Sequence, residues 1–293
     1  MAYLDKHEVD PATGKTTTGH QWDGIQELNT PLPRWWLWMF YACIAWSFGY
    51  WIVYPAWPLI SGYTSGVLGY SARGNLAEDI KVANAARRKQ SEGLENASLE
   101  SIVGDVRLRG MALAQGKAAF GDNCAPCHGS GGGGGRGFPN LLDDDWLWGG
   151  KLADIHTTIS HGIRAPTDDG TRVSQMPAFG RDNLLKPDEI RSVANYVRTL
   201  ANLAPEPKAD LAKGKTVFAD NCASCHGNEG RGNPELGAPN LTDAIWLYGS
   251  DVGSIVTTVT NARNGVMPAW AGRLDPALIK ALTVYVHSLG AGK

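Results

Sequence analysis

The feature that most restricts what this 293-residue chain can become is a five-residue word written twice, Cys124-Ala125-Pro126-Cys127-His128 and Cys222-Ala223-Ser224-Cys225-His226. Around the word, a unit of about ninety residues is duplicated. Upstream, Gly116-Lys117, Phe120 and Asp122-Asn123 match Gly214-Lys215, Phe218 and Asp220-Asn221. Downstream, Pro139-Asn140-Leu141 matches Pro239-Asn240-Leu241, Trp146-Leu147-Trp148-Gly149 matches Trp246-Leu247-Tyr248-Gly249, and Tyr196-Val197 matches Tyr285-Val286. The first copy carries about nine extra residues around Ala165 to Ser174.

C-x-x-C-H is the attachment sequence of c-type haem, in which two thiols bond the vinyl groups and the adjoining histidine binds iron. Cysteines three apart on a helical turn reach both vinyl groups on one haem edge. The next residue then lies beneath the ring. Cys124, Cys127, Cys222 and Cys225 are thus expected to hold two covalently attached haem c groups, with His128 and His226 as axial ligands. A structural zinc site built from two C-x-x-C knuckles would leave both histidines unexplained. A thioredoxin-like dithiol would need a βαβ context that this sequence lacks. Cys43, the fifth cysteine, reads as a passive apolar side chain.

The second axial ligand follows from counting. Of five methionines only Met176 and Met267 come after a haem word, fifty-two residues after Cys124 and forty-five after Cys222, and proline follows each. Taken in chain order, Met176 pairs with the first haem and Met267 with the second. His156 and His161 are the rivals for the first site and His287 for the second. A His/Met pair fills both axial positions, leaving no vacancy for oxygen, peroxide or nitrite, and it raises the potential. Such irons move electrons and make few bonds.

From Trp35 to Tyr54 twenty residues run without a charge, a helical rise of roughly 30 Å that matches the hydrocarbon core of a bilayer. Trp35, Trp36 and Trp38 crowd one end and Tyr50, Trp51, Tyr54 and Trp57 the other, as interfacial belts do. A core helix rarely needs such girdles, and a cleaved signal would not start after a polar leader of thirty-four residues. Charge codes orientation weakly, with Lys15 and Arg34 before the span and Arg73 after it. Haem is attached outside the bacterial cytoplasmic membrane, so the residues after the span are expected in the periplasm.

The resulting expectation is an all-α protein with one N-terminal transmembrane helix followed by two tandem haem domains. Its parts are a cytoplasmic segment (1–34), the span (35–60), a charged, partly helical periplasmic connector (61–109), and haem domains at 110–204 and 205–293. Helices are predicted over Pro187 to Leu200 and Pro276 to Leu289, where prolines and an acidic pair open the first turns. A formal net charge of −2 argues against a nucleic-acid partner. The glycine-rich stretch from Gly129 to Gly137 lacks the ending of a phosphate cradle. Gly214-Lys215-Thr216 has Ala209 where that motif requires glycine.

At this point the chain resembles the class I cytochrome c fold twice over and, more narrowly, the dihaem subunit (CcoP or FixP) of cbb3-type cytochrome c oxidases. The narrower resemblance rests on the leader Trp22-Asp23-Gly24-Ile25-Gln26-Glu27-Leu28-Asn29 running into Pro31-Leu32-Pro33-Arg34-Trp35-Trp36, then one span and two haem words. It implies an electron supply line. Periplasmic cytochrome c or the quinol-oxidising complex would reduce these haems, which would pass electrons to a monohaem subunit and on to the catalytic haem-copper subunit. Oxygen would be reduced in that other chain. The resemblance also implies that the carbonyls of Pro139 and Pro239 accept a hydrogen bond from His128 and His226, and that Arg136 and Arg231 pair with haem propionates. A free-standing membrane-tethered carrier and a dihaem peroxidase are the competing functions.

Overall fold

The computed structural model describes residues 7–290, and within these all but the side chain of Gln90. They form two compact units divided at Ala85.

The first unit opens with a hairpin of β1 (Thr17–Trp22) and β2 (Ile25–Leu28), which pair antiparallel with Trp22 opposite Ile25. Its two-residue turn is Asp23-Gly24, both at positive φ (51° and 85°), the combination a tight hairpin demands. This hairpin lies in the leader, where no element was expected. Next comes α1 (Arg34–Val53), with no buried side chain and with length and hydropathy sufficient to cross a membrane. The expected span to residue 60 is too long. Tyr54 precedes Pro55, which biases it away from helical backbone, and it is extended at φ −114°, ψ 163°. Trp57 is therefore off the helix, although its ring packs edge-on against Trp51 with centroids 4.7 Å apart. A second small hairpin, β3 (Pro58–Leu59) with β4 (Gly62–Tyr63), follows.

The connector is helical through α2 (Ala72–Asn96), which contains the unit boundary. In the second unit Lys280 Nζ donates to the carbonyls of Glu95 and Ala97 at the C-terminal end of α2, at 2.7 and 2.8 Å. Ser98 and Asp105 cap α3 (Leu99–Gly104) and α4 (Val106–Asn123), each accepting a backbone N–H. The repeats then read as α5 (Ala125–His128), α6 (Leu152–His161) and α7 (Pro187–Leu200), followed by α8 (Leu211–Asn221), α9 (Ala223–His226), α10 (Val252–Asn261) and α11 (Pro276–Leu289). The two helices predicted from prolines have the expected bounds.

Their partners are not those of chain order. Helix α8 packs on α7, the last helix of the first repeat, and α4 packs on α11, the last helix of the second. Helix α10 follows α7, and α6 follows α11. Glycines permit both close crossings. A Cβ at Gly116 would stand 2.4 Å from the Ala281 carbonyl oxygen, and one at Gly214 would stand 2.3 Å from that of Ser192. The short connection 201–210 makes the choice, because it folds α8 straight back on α7. Buried Asn195 locks that turn, donating to Glu206 Oε2 (3.1 Å) and accepting from the Glu206 N–H (2.7 Å), while Arg191 binds the same carboxylate. An ion pair between Lys213 and Asp188 ties the helices again. With α7 occupied, α4 takes α11. Residues 110–204 and 205–293 are thus repeats of sequence that exchange their last helices in space.

Candidate haem centres

Each haem word begins where a helix ends. Cys124 and Cys222 cap α4 and α8 in αR backbone, and the carbonyl of each accepts the N–H of its histidine at 2.9 Å. The first cysteine of each word faces the core, the second is exposed. Burial pushes the thiols of Cys124 and Cys222 up to about 11, and the neighbouring Cys127 and Cys225 act in the same direction.

His128 Nδ1 donates to the Pro139 carbonyl and His226 Nδ1 to the Pro239 carbonyl, both at 3.0 Å. These are the contacts the resemblance implied. They fix each ring and leave Nε2 as the free coordinating nitrogen. Burial holds His226 below the usual imidazole value, against the opposing pull of the Pro239 carbonyl, so it stays neutral and available to a metal.

Around the second word lies a cavity of about 500 Å³, lined by Cys222, Cys225, His226 and Phe218 and, from the first repeat, by Met176 and Phe179. Met267 packs instead with Cys124, Phe120 and Trp146 in the core beside the first word. The pairing by chain order is therefore corrected: the fold brings Met176 to His226 and Met267 to the first word. Its cause is the helix exchange, sealed by backbone bonds between the repeats. Ile163 and Met267 exchange two N–H···O bonds of 3.0 Å, and Trp270 N donates to Ile159 O at 3.1 Å. On the other side Phe179 N donates to Val259 O at 3.0 Å.

His287, the rival at the second word, does not line this cavity. His161 Nδ1 faces the Asp168 carboxylate at 3.0 Å, and burial lowers the pKa of His156. Arg231, the expected propionate partner at the second word, is not brought to it either; it is exposed and bonded to Glu229 at 2.9 Å. Arg164 and Arg263 line it instead, together with Asp143, Asp145 and Tyr248. Sequence reasoning passed over both arginines. Their one signal was a shared place a few residues after α6 and α10. Asp145 is pushed up to about 6 by burial and by Asp243, Asp143 and Asp144. The aromatic at 148 and 248 interlocks the repeats: Trp148 fills the space a Cβ at Gly237 would need (2.2 Å), and Tyr248 faces Gly137.

These residues fit a haem better than they fit the alternatives. The indole Nε1 atoms of Trp146 and Trp246, equivalent in the two repeats, are buried without a partner, which costs about 1–3 kcal/mol per donor unless an acceptor is supplied. Trp246 lines the cavity, where haem carboxylates would be such acceptors. Among the described residues no three His, Cys, Asp or Glu side chains gather as a zinc site would require.

The chain is also similar to known families and proteins along its whole length. Residues 14–61 match the family model described as the N-terminal domain of cytochrome oxidase-cbb3, FixP; residues 113–201 match cytochrome c; and residues 209–286 match cytochrome C oxidase, cbb3-type, subunit III. The cbb3-type cytochrome c oxidase subunit FixP of Azorhizobium caulinodans is 59% identical over 285 residues, covering 97% of this chain and 96% of its own. The FixP subunit of Bradyrhizobium diazoefficiens is 57% identical and covers 99% of both chains, and the CcoP subunit of Cereibacter sphaeroides is 53% identical over 94% and 95%. With two cytochrome c repeats behind one apolar helix and relatives that match from end to end, the chain belongs to the CcoP/FixP family of cbb3-type cytochrome c oxidase subunits.

Proposed function

We propose that this chain is the membrane-anchored dihaem electron-transfer subunit of a cbb3-type cytochrome c oxidase, in which Met176 and His226 would hold one iron and Met267 and His128 the other. The observation that carries the reading is that each haem word, its histidine oriented by a proline carbonyl, meets a methionine of the sister repeat: Met176 lines one cavity with His226, and Met267 packs against the same core as Cys124. Cys124, Cys127, Cys222 and Cys225 would hold the two haem c groups by thioether bonds. Bound there, haem supplies one-electron cycling between ferric and ferrous iron. The Pro139 and Pro239 carbonyls keep each Nδ1 protonated and each imidazole aimed, and the apolar cores exclude water.

With a histidine and a methionine to hold each iron, the chain would hand charge onward and reduce no oxygen itself. Electrons enter from periplasmic cytochrome c or a quinol-oxidising complex. They leave toward the monohaem and catalytic haem-copper subunits. Helix α1 anchors the chain in the inner membrane, residues 1–34 lie on the cytoplasmic side, and both repeats lie in the periplasm, the compartment where haem is attached.

Mass analysis of the mature chain should show the polypeptide plus two haems. Met176→His and Met267→His should each remove one methionine-to-iron charge-transfer band from the near-infrared spectrum. In mild detergent the chain should co-migrate with a copper-containing, oxygen-consuming assembly. A lone dihaem band would point to a free-standing carrier, and absence of added haem would defeat the proposal.

A further inference from the structure

We infer that Arg164, contributed by the first repeat, is the cation that receives a propionate of the haem held on the second haem word. The inference rests on the haem reading above and adds a residue to it. Arg164 sits three residues beyond the end of α6 with φ +50°, a left-handed backbone uncommon for a residue with a Cβ. Neighbours hold it there. Its N–H donates to Arg172 O at 2.7 Å, and Ile163 before it is bonded to Met267.

The side chain turns into the cavity shared by Met176, Cys222 and His226. Nε donates to the Gly265 carbonyl at 2.8 Å and Nη1 to the Ser174 carbonyl at 2.7 Å, one acceptor from each repeat. Both acceptors are neutral. Burial already lowers its pKa, so the surroundings disfavour the charge. Asp143 and Asp145 line the same cavity, yet among the described residues Arg164 forms no ion pair with either.

A half-buried guanidinium whose hydrogen bonds go only to carbonyls is incompletely compensated, and a carboxylate is the group its planar fork fits. Haem c has two anionic groups, its propionates. Arg263 reaches the same cavity from the second repeat, but its guanidinium lies 4.7 Å over the Tyr248 ring with Nε on Thr258 Oγ1. Trp246 Nε1 offers a neutral donor beside them. The propionate therefore docks where the two repeats meet, and the charge that steadies it comes from the repeat that also supplies Met176.

The test is a redox titration of the full-length dihaem chain as wild type, Arg164→Gln and Arg164→Lys. A cation beside the haem disfavours the ferric state, so its loss should lower one of the two midpoint potentials and leave the other in place. The expected change is about tenfold in the one-electron equilibrium, 59 mV. The affected haem should be the one whose near-infrared band disappears in Met176→His. Two unchanged potentials in an Arg164→Gln chain shown by mass to carry both haems would overturn the inference, as would a shift confined to the haem that loses its band in Met267→His. Should Arg164→Gln fail to mature, Arg164→Lys decides through resonance Raman spectroscopy. It keeps the charge but loses the fork, so the propionate bending band of that haem should move, and an unmoved band refutes the contact. A wild-type chain without haem on Cys222 and Cys225 would instead be a failure of the haem reading.

Discussion

Gly162→Ala gives a direct test of the exchanged pairing. Gly162 closes α6 at φ 69° and ψ −168°, a backbone open essentially to glycine alone, where alanine costs about 1–3 kcal/mol. A Cβ there would also stand 2.3 Å from Met267 O and 2.8 Å from Ala269 N, so the Met267 strand must retreat by about 1 Å to reach ordinary contact at 3.4 Å. That retreat breaks the two 3.0 Å bonds between Ile163 and Met267, about 1–3 kcal/mol together. The sum is about 2–6 kcal/mol, read from chemical unfolding of the detergent-solubilised holoprotein followed by haem absorbance. The same variant should weaken the near-infrared band that Met267→His removes. Chain-order ligation predicts the other band, since Gly162 precedes Met176 in its own repeat. A loss below about 1 kcal/mol, or disturbance of the Met176 band alone, refutes the reasoning.

Other sites make separate demands. Asn195→Ala removes both bonds to Glu206 from a side chain only 1% exposed, and should destabilise the second unit by about 2–4 kcal/mol in the same unfolding assay. Asp145 titrates at about 6 in the fold, above the usual 3.8, so between those values the native state binds more protons than the unfolded one. Stability should therefore fall as pH rises from about 4 to 6, by about 1 kcal/mol once solvent screening is allowed for, and Asp145→Asn should flatten that slope in unfolding curves taken across the interval. Residues 86–293, exported to the periplasm without α1, should accumulate as a soluble dihaem protein with both near-infrared bands, because α3, α4 and α11 share one core that begins at Leu94.

Much of this architecture was legible in the residues. Pro187 and Pro276 at first helical turns set the starts of α7 and α11, and an uncharged run set α1. The haem words located the thiols and the histidines, and the resemblance to cytochrome c supplied the Pro139 and Pro239 carbonyls that orient them. The exchange was not legible, because Tyr196-Val197 and Tyr285-Val286 present alike faces and Phe120 and Phe218 accept either. Tyr285 tilts against Phe120 and Tyr196 against Phe218 with the same 5.5 Å between centroids. What breaks the tie is a connection length and one buried amide, Asn195, which no periodicity reveals. Arg164 was hidden for the same reason: its cavity exists only after the repeats have traded helices. The Asp23-Gly24 turn was visible, but the strands beside it are too exposed to show alternation.

The exchange has a consequence for a relay. Two haem domains joined by the ten residues 201–210 alone would hold their irons at a separation set by a tether, and transfer between them would vary with its fluctuation. Here that tether is overlaid by two helix interfaces, α4 on α11 and α8 on α7. Both crossings are tight enough to require glycine at 116 and 214, and both are floored by side chains such as Ala281, Leu282 and Val193 at 0% exposure. Neither sequence repeat closes a core without the other, so residues 86–290 behave as one packed body rather than two beads. The relative placement of the two centres is then fixed by close-packed cores, which resist deformation far better than a linker does.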